Sequence, residues 1–348
     1  MSSDNVFTGT QSLNTFKRQY FQLIDPDQIS WPSNDLLKHP QSQSWLFIQL
    51  FDPDGVQYAP PERYQLRVLK QLVGKLEAAM TDPDEDEISE ELVTLLSTLL
   101  SSQLPFEIQS AQKPSYVTYS YLNETGAAEL EQRDVTILEA RSVLSSSGTT
   151  GLRTWEAALH LGSFLTTSGA QRFVKGKNIL ELGAGTGFVS ILCAKHLEAR
   201  RVTASDGDPG TVEALNSNLF LNGLEGSEKV HPEALRWGRT LIGSVFEEEM
   251  SEHPYDTVLG ADLTYDKKII PSLISTISDL INRRSSLQVV IAATVRNKET
   301  VDAFTHGCTN RGLELHDLEF SPSAEEQERS FFYSLSTPIR IILISRKP

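Results

Sequence analysis

Apolar residues recur at helical spacing through the first third of the chain. Leu66, Leu69, Val73, Leu76 and Met80 fall on one helical face, and Ile88, Leu92, Leu95 and Leu99 fall on another. The run SWLFIQLF (44–51) predicts a further buried helix, Pro60 and Pro61 stand where a helix can start, and DPDG (52–55) is turn chemistry. Residues 1 to about 110 therefore read as helical. From about 111 to 147 the texture changes, with SYVTYSYL strand-like and SSSGTTG (145–151) reading as a flexible junction.

After residue 150 short apolar runs alternate with helical patterns. A helix over 154–165 precedes a strand near Asn178–Leu182, and a helix runs from about Phe188 to His196. RVTASD (201–206) is a second strand, followed by a helix through TVEALNSNLFLNG, and Lys229 and Val230 mark a short third strand. DTVLGAD (256–262) and LQVVIAATV (287–295) are a fourth and a fifth, each followed by a helix, near 270–281 and 298–311. LELHDLEF and PIRIILISRK then close the chain, separated by a turn-rich stretch. Five strands alternating with helices, then two joined without one, predict an α/β fold: a doubly wound seven-stranded sheet with an antiparallel C-terminal edge. The chain divides on this reading into a mainly helical region, 1–147, and the sheet domain, 148–348. Ligands on such sheets bind beyond the carboxyl ends of the strands, near the switch in strand order.

Bulk properties narrow the class. The 348 residues contain two cysteines, Cys193 and Cys308, too few for a disulfide framework or a thiol-built zinc cluster. Histidines and carboxylates show no compact ligand spacing, so no metal is expected. No run is long and apolar enough to cross a bilayer, and the first twenty residues lack the marks of a secretion signal, so a cytoplasmic protein without a membrane partner is expected. A net charge of −15 argues against direct nucleic-acid binding and suits a basic, lysine-bearing partner. The acidic run TDPDEDEISEE (81–91) reads as a solvated loop entering a helix N-terminus. A monomer is expected.

The chemistry begins at ILELGAGTGF (179–188). A dinucleotide turn wants G-x-G-x-x-G, and counting from Gly183 puts Phe188 where its third glycine belongs. The glycines alone leave a simple tight turn open. Glu181 followed by Gly183-Ala184-Gly185-Thr186-Gly187 resembles the first motif of the seven-strand S-adenosylmethionine methyltransferases. Bare backbone at Gly183 and Gly185, with only a methyl at Ala184 between them, would let a cofactor approach, and Glu181 could orient its ammonium group. Asp206 ends the second strand, where a carboxylate can accept from both ribose hydroxyls, while Asp208 is the better helix N-cap.

The fourth strand ends in LGADLTYD (259–266), beside which this fold holds the transferable methyl. Asn-Pro-Pro-Tyr, typical of enzymes that methylate planar nitrogens, is absent there. Asp262 and Tyr265 instead stand in Asp-x-x-Tyr spacing, which resembles the signature of the seven-strand protein lysine methyltransferases. Neutralising a lysine of pKa about 10.4 at pH 7 costs roughly 4.6 kcal/mol. A carboxylate raises an amine's pKa, so Asp262 suits holding and aiming the amine rather than deprotonating it, with Tyr265 as a wall or hydrogen-bonding group. The motifs GTTGLRTWEAALHLGSFL, ILELGAGTGFVSILCAKHL, VTASDGDPGTVEALNSNLFLNG, LRWG and YDTVLGADLTYD occur in the order seen in the small eukaryotic lysine methyltransferases. That resemblance implies S-adenosyl-L-methionine as cofactor, with Trp155, Gly183, Ala184, Gly185, Asp206, Trp237 and Ala261 at cofactor-contacting positions. The helical region before this core is similar to that of the elongation factor 2 lysine methyltransferases, which implies elongation factor 2 as protein substrate and the N-terminal region as its docking element. Residues alone leave open another protein or a small amine as substrate, or a non-catalytic binding module keeping the fold.

Overall fold

The computed structural model describes residues 3–82, 86–104, 113–125, 129–140, 151–239, 241 and 244–347. Its chain groups into two units, residues 1–120 with 136–145, and residues 121–135 with 146–348.

The first unit is helical: α1 (Ser3–Phe21), α2 (Asn34–Leu37), α3 (Pro40–Leu46), α4 (Glu62–Ala79) and α5 (Glu90–Ser101). Pro61 sits at the N-cap of α4, as expected of a residue that fixes φ and lacks an N–H. The buried stripe of α4 is Tyr64, Val68, Leu69, Leu72, Val73 and Leu76, with Leu66 at its edge and Met80 past the helix end in extended backbone. The buried helix expected over 44–51 is present, but α3 passes into a wider π-helical turn at Phe47–Phe51, which turns Leu50 and Phe51 inward. Buried Gln43 ties this region together, donating to the Lys38 and Glu87 carbonyls and accepting from the Ser89 N–H at 2.8 Å. SYVTYSYL lies in β1 (Ser115–Thr125), which pairs with β2 (Glu129–Glu139) in a two-stranded ribbon. Of the flexible junction expected at 145–151, residues 145–150 lie outside the described residues, as do 83–85 of the acidic run.

The second unit is the expected doubly wound sheet. After α6 (Glu156–Leu165) come β3 (Asn178–Leu182), α7 (Phe188–His196), β4 (Arg201–Asp206), α8 (Pro209–Leu221) and β5 (Val230–Ala234). Then follow α9 (Val245–Glu252), β6 (Thr257–Ala261), α10 (Ile270–Arg283), β7 (Gln288–Thr294), α11 (Lys298–Asn310), β8 (Leu313–Leu318), α12 (Ala324–Arg329) and β9 (Ile339–Arg346). The strands stand in the order β5-β4-β3-β6-β7-β9-β8. β3 to β7 are parallel, and β9 pairs antiparallel with both β7 and β8.

Every residue of β3 is buried, as a central strand covered on both faces must be. Leu180 and Leu182 join the core formed by α10, α11 and the facing strand residues, while Glu181 points to the other face and meets Ser190 of α7. The two cysteines, both fully buried, lie on α7 and α11. Within this unit the ribbon residues 121–135 pack on the sheet domain: Arg133 donates to the His196 carbonyl at 3.0 Å, Lys195 and His196 both donate to the Asp134 carbonyl, and the Tyr121 ring meets Phe331.

Candidate active site

The chain leaves β3 for β4 and β5 on one side, then crosses back to lay β6 on the other side of β3. The carboxyl ends of β3, β4 and β6 therefore converge, in registers pairing Leu182 with Ser205 and with Gly260. This is the switch point where doubly wound sheets bind ligands, and it gathers the residues singled out from the sequence.

The glycine turn after β3 is tied down by its neighbours. Ala184 N–H donates to the Ser205 carbonyl at 2.9 Å, Gly185 N–H to Asp206 Oδ2 at 3.1 Å, and Asn218 Nδ2 to the Thr186 carbonyl at 2.9 Å. Thr154 and Thr186 share a hydroxyl hydrogen bond of 2.8 Å, which draws the segment bearing Trp155 to the same turn. Gly183 has φ +64°, and a Cβ there would stand 2.7 Å from Leu263 Cδ2; one on Gly260 would stand 2.5 Å from Leu263 Cδ1. The bare backbone at these two positions lets Leu263 nest between them, locking the loop after β6 against the loop after β3.

Asp206 accepts from the N–H groups of Gly185 and Asp208, one on each oxygen. Burial raises its pKa and these backbone donors lower it. A carboxylate has about four acceptor positions, so these backbone donors do not exhaust it. The rival reading of Asp206 as helix cap does not hold: Asp208 caps α8, accepting from Thr211 N–H at 2.8 Å. Glu181 is buried, bonded by the Ser190 hydroxyl, and burial pushes it up to about 8. Trp237 packs against Gly183 and the α10 core, with a buried Nε1 that has no partner among the described residues. A buried acid short of a cation, an indole N–H short of an acceptor and an aspartate with acceptor positions to spare suit a ligand carrying an ammonium group, an aromatic base and vicinal hydroxyls.

Ala261 ends β6 and pairs with Ala292 of β7. The next residue, Asp262, has φ +56°, a left-handed backbone that aspartate tolerates better than most residues. Its N–H donates to the Ala292 carbonyl at 2.8 Å, and its carboxylate receives the Thr294 N–H at 3.4 Å and pairs with Arg296 Nη1 at 2.8 Å. Tyr265, by contrast, is 57% exposed, at the rim. Trp155 is the N-cap of α6, and the guanidiniums of Arg153 and Arg296 lie 5.1 and 5.3 Å from its ring centroid. Reading the sequence missed Arg296, Leu263 and Ser190. Ser190 was the most legible of them, a polar residue in the apolar stretch of α7 that donates to Glu181.

A family model described as lysine methyltransferase matches residues 129–307, just over half of the chain. The chain belongs to the lysine methyltransferase family. Protein-lysine N-methyltransferase EFM3 of Chaetomium thermophilum is 43% identical over 328 residues, covering 94% of this chain and 96% of that protein. The Saccharomyces cerevisiae protein of the same name is 30% identical, covering 67% and 75%. Mouse protein-lysine N-methyltransferase EEF2KMT is 29% identical and covers 90% of each chain. The similarity to lysine methyltransferases thus runs through the helical unit as well as the sheet, and the activity is that of a protein-lysine N-methyltransferase. Among the described residues no His, Cys, Asp and Glu cluster could hold a metal ion, and no helix is long and apolar enough to cross a membrane.

Proposed function

We propose that this lysine methyltransferase uses S-adenosyl-L-methionine to methylate a lysine of elongation factor 2. The observation that carries the reaction is Asp262, a carboxylate fixed by its own backbone at the end of β6, next to Leu263, which packs on Gly183, and paired with Arg296, which lies over the Trp155 ring. The substrate rests on the names of the relatives, which point to an elongation factor and whose similarity extends through the N-terminal helices.

The cofactor, when bound, supplies an electrophilic methyl on a sulfonium. Asp206 takes hydroxyl donors on its open acceptor positions, Glu181 balances an ammonium group, and Trp237 offers its ring and its Nε1–H. Ala261 and Ala184 contribute small surfaces, and Gly183 and Gly185 bare backbone. Asp262 receives the lysine ammonium and aims it, and Tyr265 walls the approach from the rim. The amine gives its proton to water before attack, since the carboxylate favours the charged form. Rate then comes chiefly from alignment and from exclusion of water. The helical region, 1–147 by the sequence division, docks the substrate, and a net charge of −15 suits a basic surface around the target lysine.

Purified protein should transfer labelled methyl to elongation factor 2, and Asp262→Ala should lower kcat/KM at least about 100-fold, the scale of a misaligned reactant. Calorimetry should show cofactor affinity unchanged in that variant. Normal turnover by Asp262→Ala would remove the residue from the mechanism, and labelling of a different protein in a lysate would replace the substrate.

A further inference from the structure

The Asp262 carboxylate already has a cation. Arg296 Nη1 lies 2.8 Å from its Oδ2, and the same guanidinium lies 5.3 Å over the Trp155 ring. A carboxylate beside an aromatic face is a site for a positive charge, and these are the two surroundings a lysine ammonium would use. The two partners differ in how firmly they are held. Asp262 is 9% exposed and anchored through its own backbone, whereas the Arg296 side chain is 45% exposed and reaches in from the segment after β7 on a flexible stem. Arg153, the other cation over Trp155, has its own carboxylate, Glu156, at 3.6 Å. Arg296 presents a planar, delocalised guanidinium where a substrate lysine would present a compact ammonium.

We infer that Arg296 is a tethered stand-in for the substrate lysine, filling the cation site of Asp262 and Trp155 until the incoming ammonium displaces it. This rests on the reading of Asp262 as the residue that holds the amine. The exchange replaces one ion pair by another, so the nearly buried carboxylate is never left without a counter-charge. It also acts as a filter. A small free amine must compete with a cation that is always at hand, while a lysine on a protein held by further contacts wins the exchange. Arg296 is on this account a specificity-determining residue.

Steady-state kinetics of wild type, Arg296→Gln and Arg296→Lys with purified elongation factor 2 test the exchange. KM for the protein substrate should fall about three- to tenfold in Arg296→Gln, the size of one partly exposed ion pair with a cation–π contact. Arg296→Lys, which restores a cation, should bring KM back towards wild type and, with an amine now in the acceptor position, should itself take up labelled methyl; cofactor affinity by calorimetry should match in all three. An unchanged or raised KM in Arg296→Gln, or a lowered kcat, would overturn the stand-in and make Arg296 a brace for Asp262. Wild-type protein that binds cofactor but transfers nothing would instead sink the reading of the site on which the inference rests.

Discussion

Burial pushes the Glu181 carboxyl up to about 8, with the Ser190 hydroxyl pulling it down and the Asp206 charge pushing the same way as burial. An acid whose folded pKa lies above its unfolded one keeps a proton that the unfolded chain has lost. Glu181 therefore costs stability progressively as pH rises from about 4.5 to about 8, by a few kcal/mol in all, and nothing below that window. Glu181→Gln still accepts from Ser190 but has no charge to bury. Its urea midpoint should rise relative to wild type on going from pH 5 to pH 8, and a constant difference across that range would show that Glu181 titrates normally. Cofactor should flatten the wild-type slope, because an ammonium beside the carboxylate favours ionisation.

Among the elements, the start of α8 bears out the division of labour that the sequence suggests for two neighbouring aspartates. Asp208 holds the helix, taking both the N–H and the hydroxyl of Thr211, whereas Asp206 faces the glycine turn. Asp208→Ala should cost about 1 kcal/mol of stability in a denaturant melt and leave cofactor affinity intact. A loss of affinity would mean that the cap sets the Asp206 geometry. The strands β3, β6 and β7 were legible because each is a short, mainly apolar run hemmed by glycines or polar residues, as burial on both faces demands, and β4 from its small and β-branched residues ahead of Asp206. β2, α9 and α12 were not, since ELEQRDVTILE, VFEEEMSE and AEEQER are rich in charge and show little apolar period. The same contrast holds in the site. Glu181 to Asp206 is one strand–turn–strand motif, readable in order, but Arg296 meets Asp262 only through the pairing of β6 with β7. Sheet register is not written in any local pattern.

At the scale of the whole molecule, the division of the chain has a consequence for any shortened form. A fragment of 148–348, the sheet domain as the sequence suggests it, lacks Arg133 and Asp134, which serve His196 and Lys195, and Tyr121, which covers Phe331. A fragment of 113–348 retains them. The shorter piece should melt on the order of 10 °C lower, a loss of a few hydrogen bonds and one buried ring in a domain of this size. Equal melting temperatures would show that the ribbon adds nothing to the sheet domain. The two thiols, one on α7 and one on α11, are both sealed from solvent, and burial lifts the Cys308 pKa to about 12 and that of Cys193 well above its usual value. Neither can form thiolate at the surface, so oxidants find nothing to act on while the chain is folded. A disulfide-linked dimer in any preparation is thus a record of molecules that have opened, and a reductant treats the symptom rather than the cause.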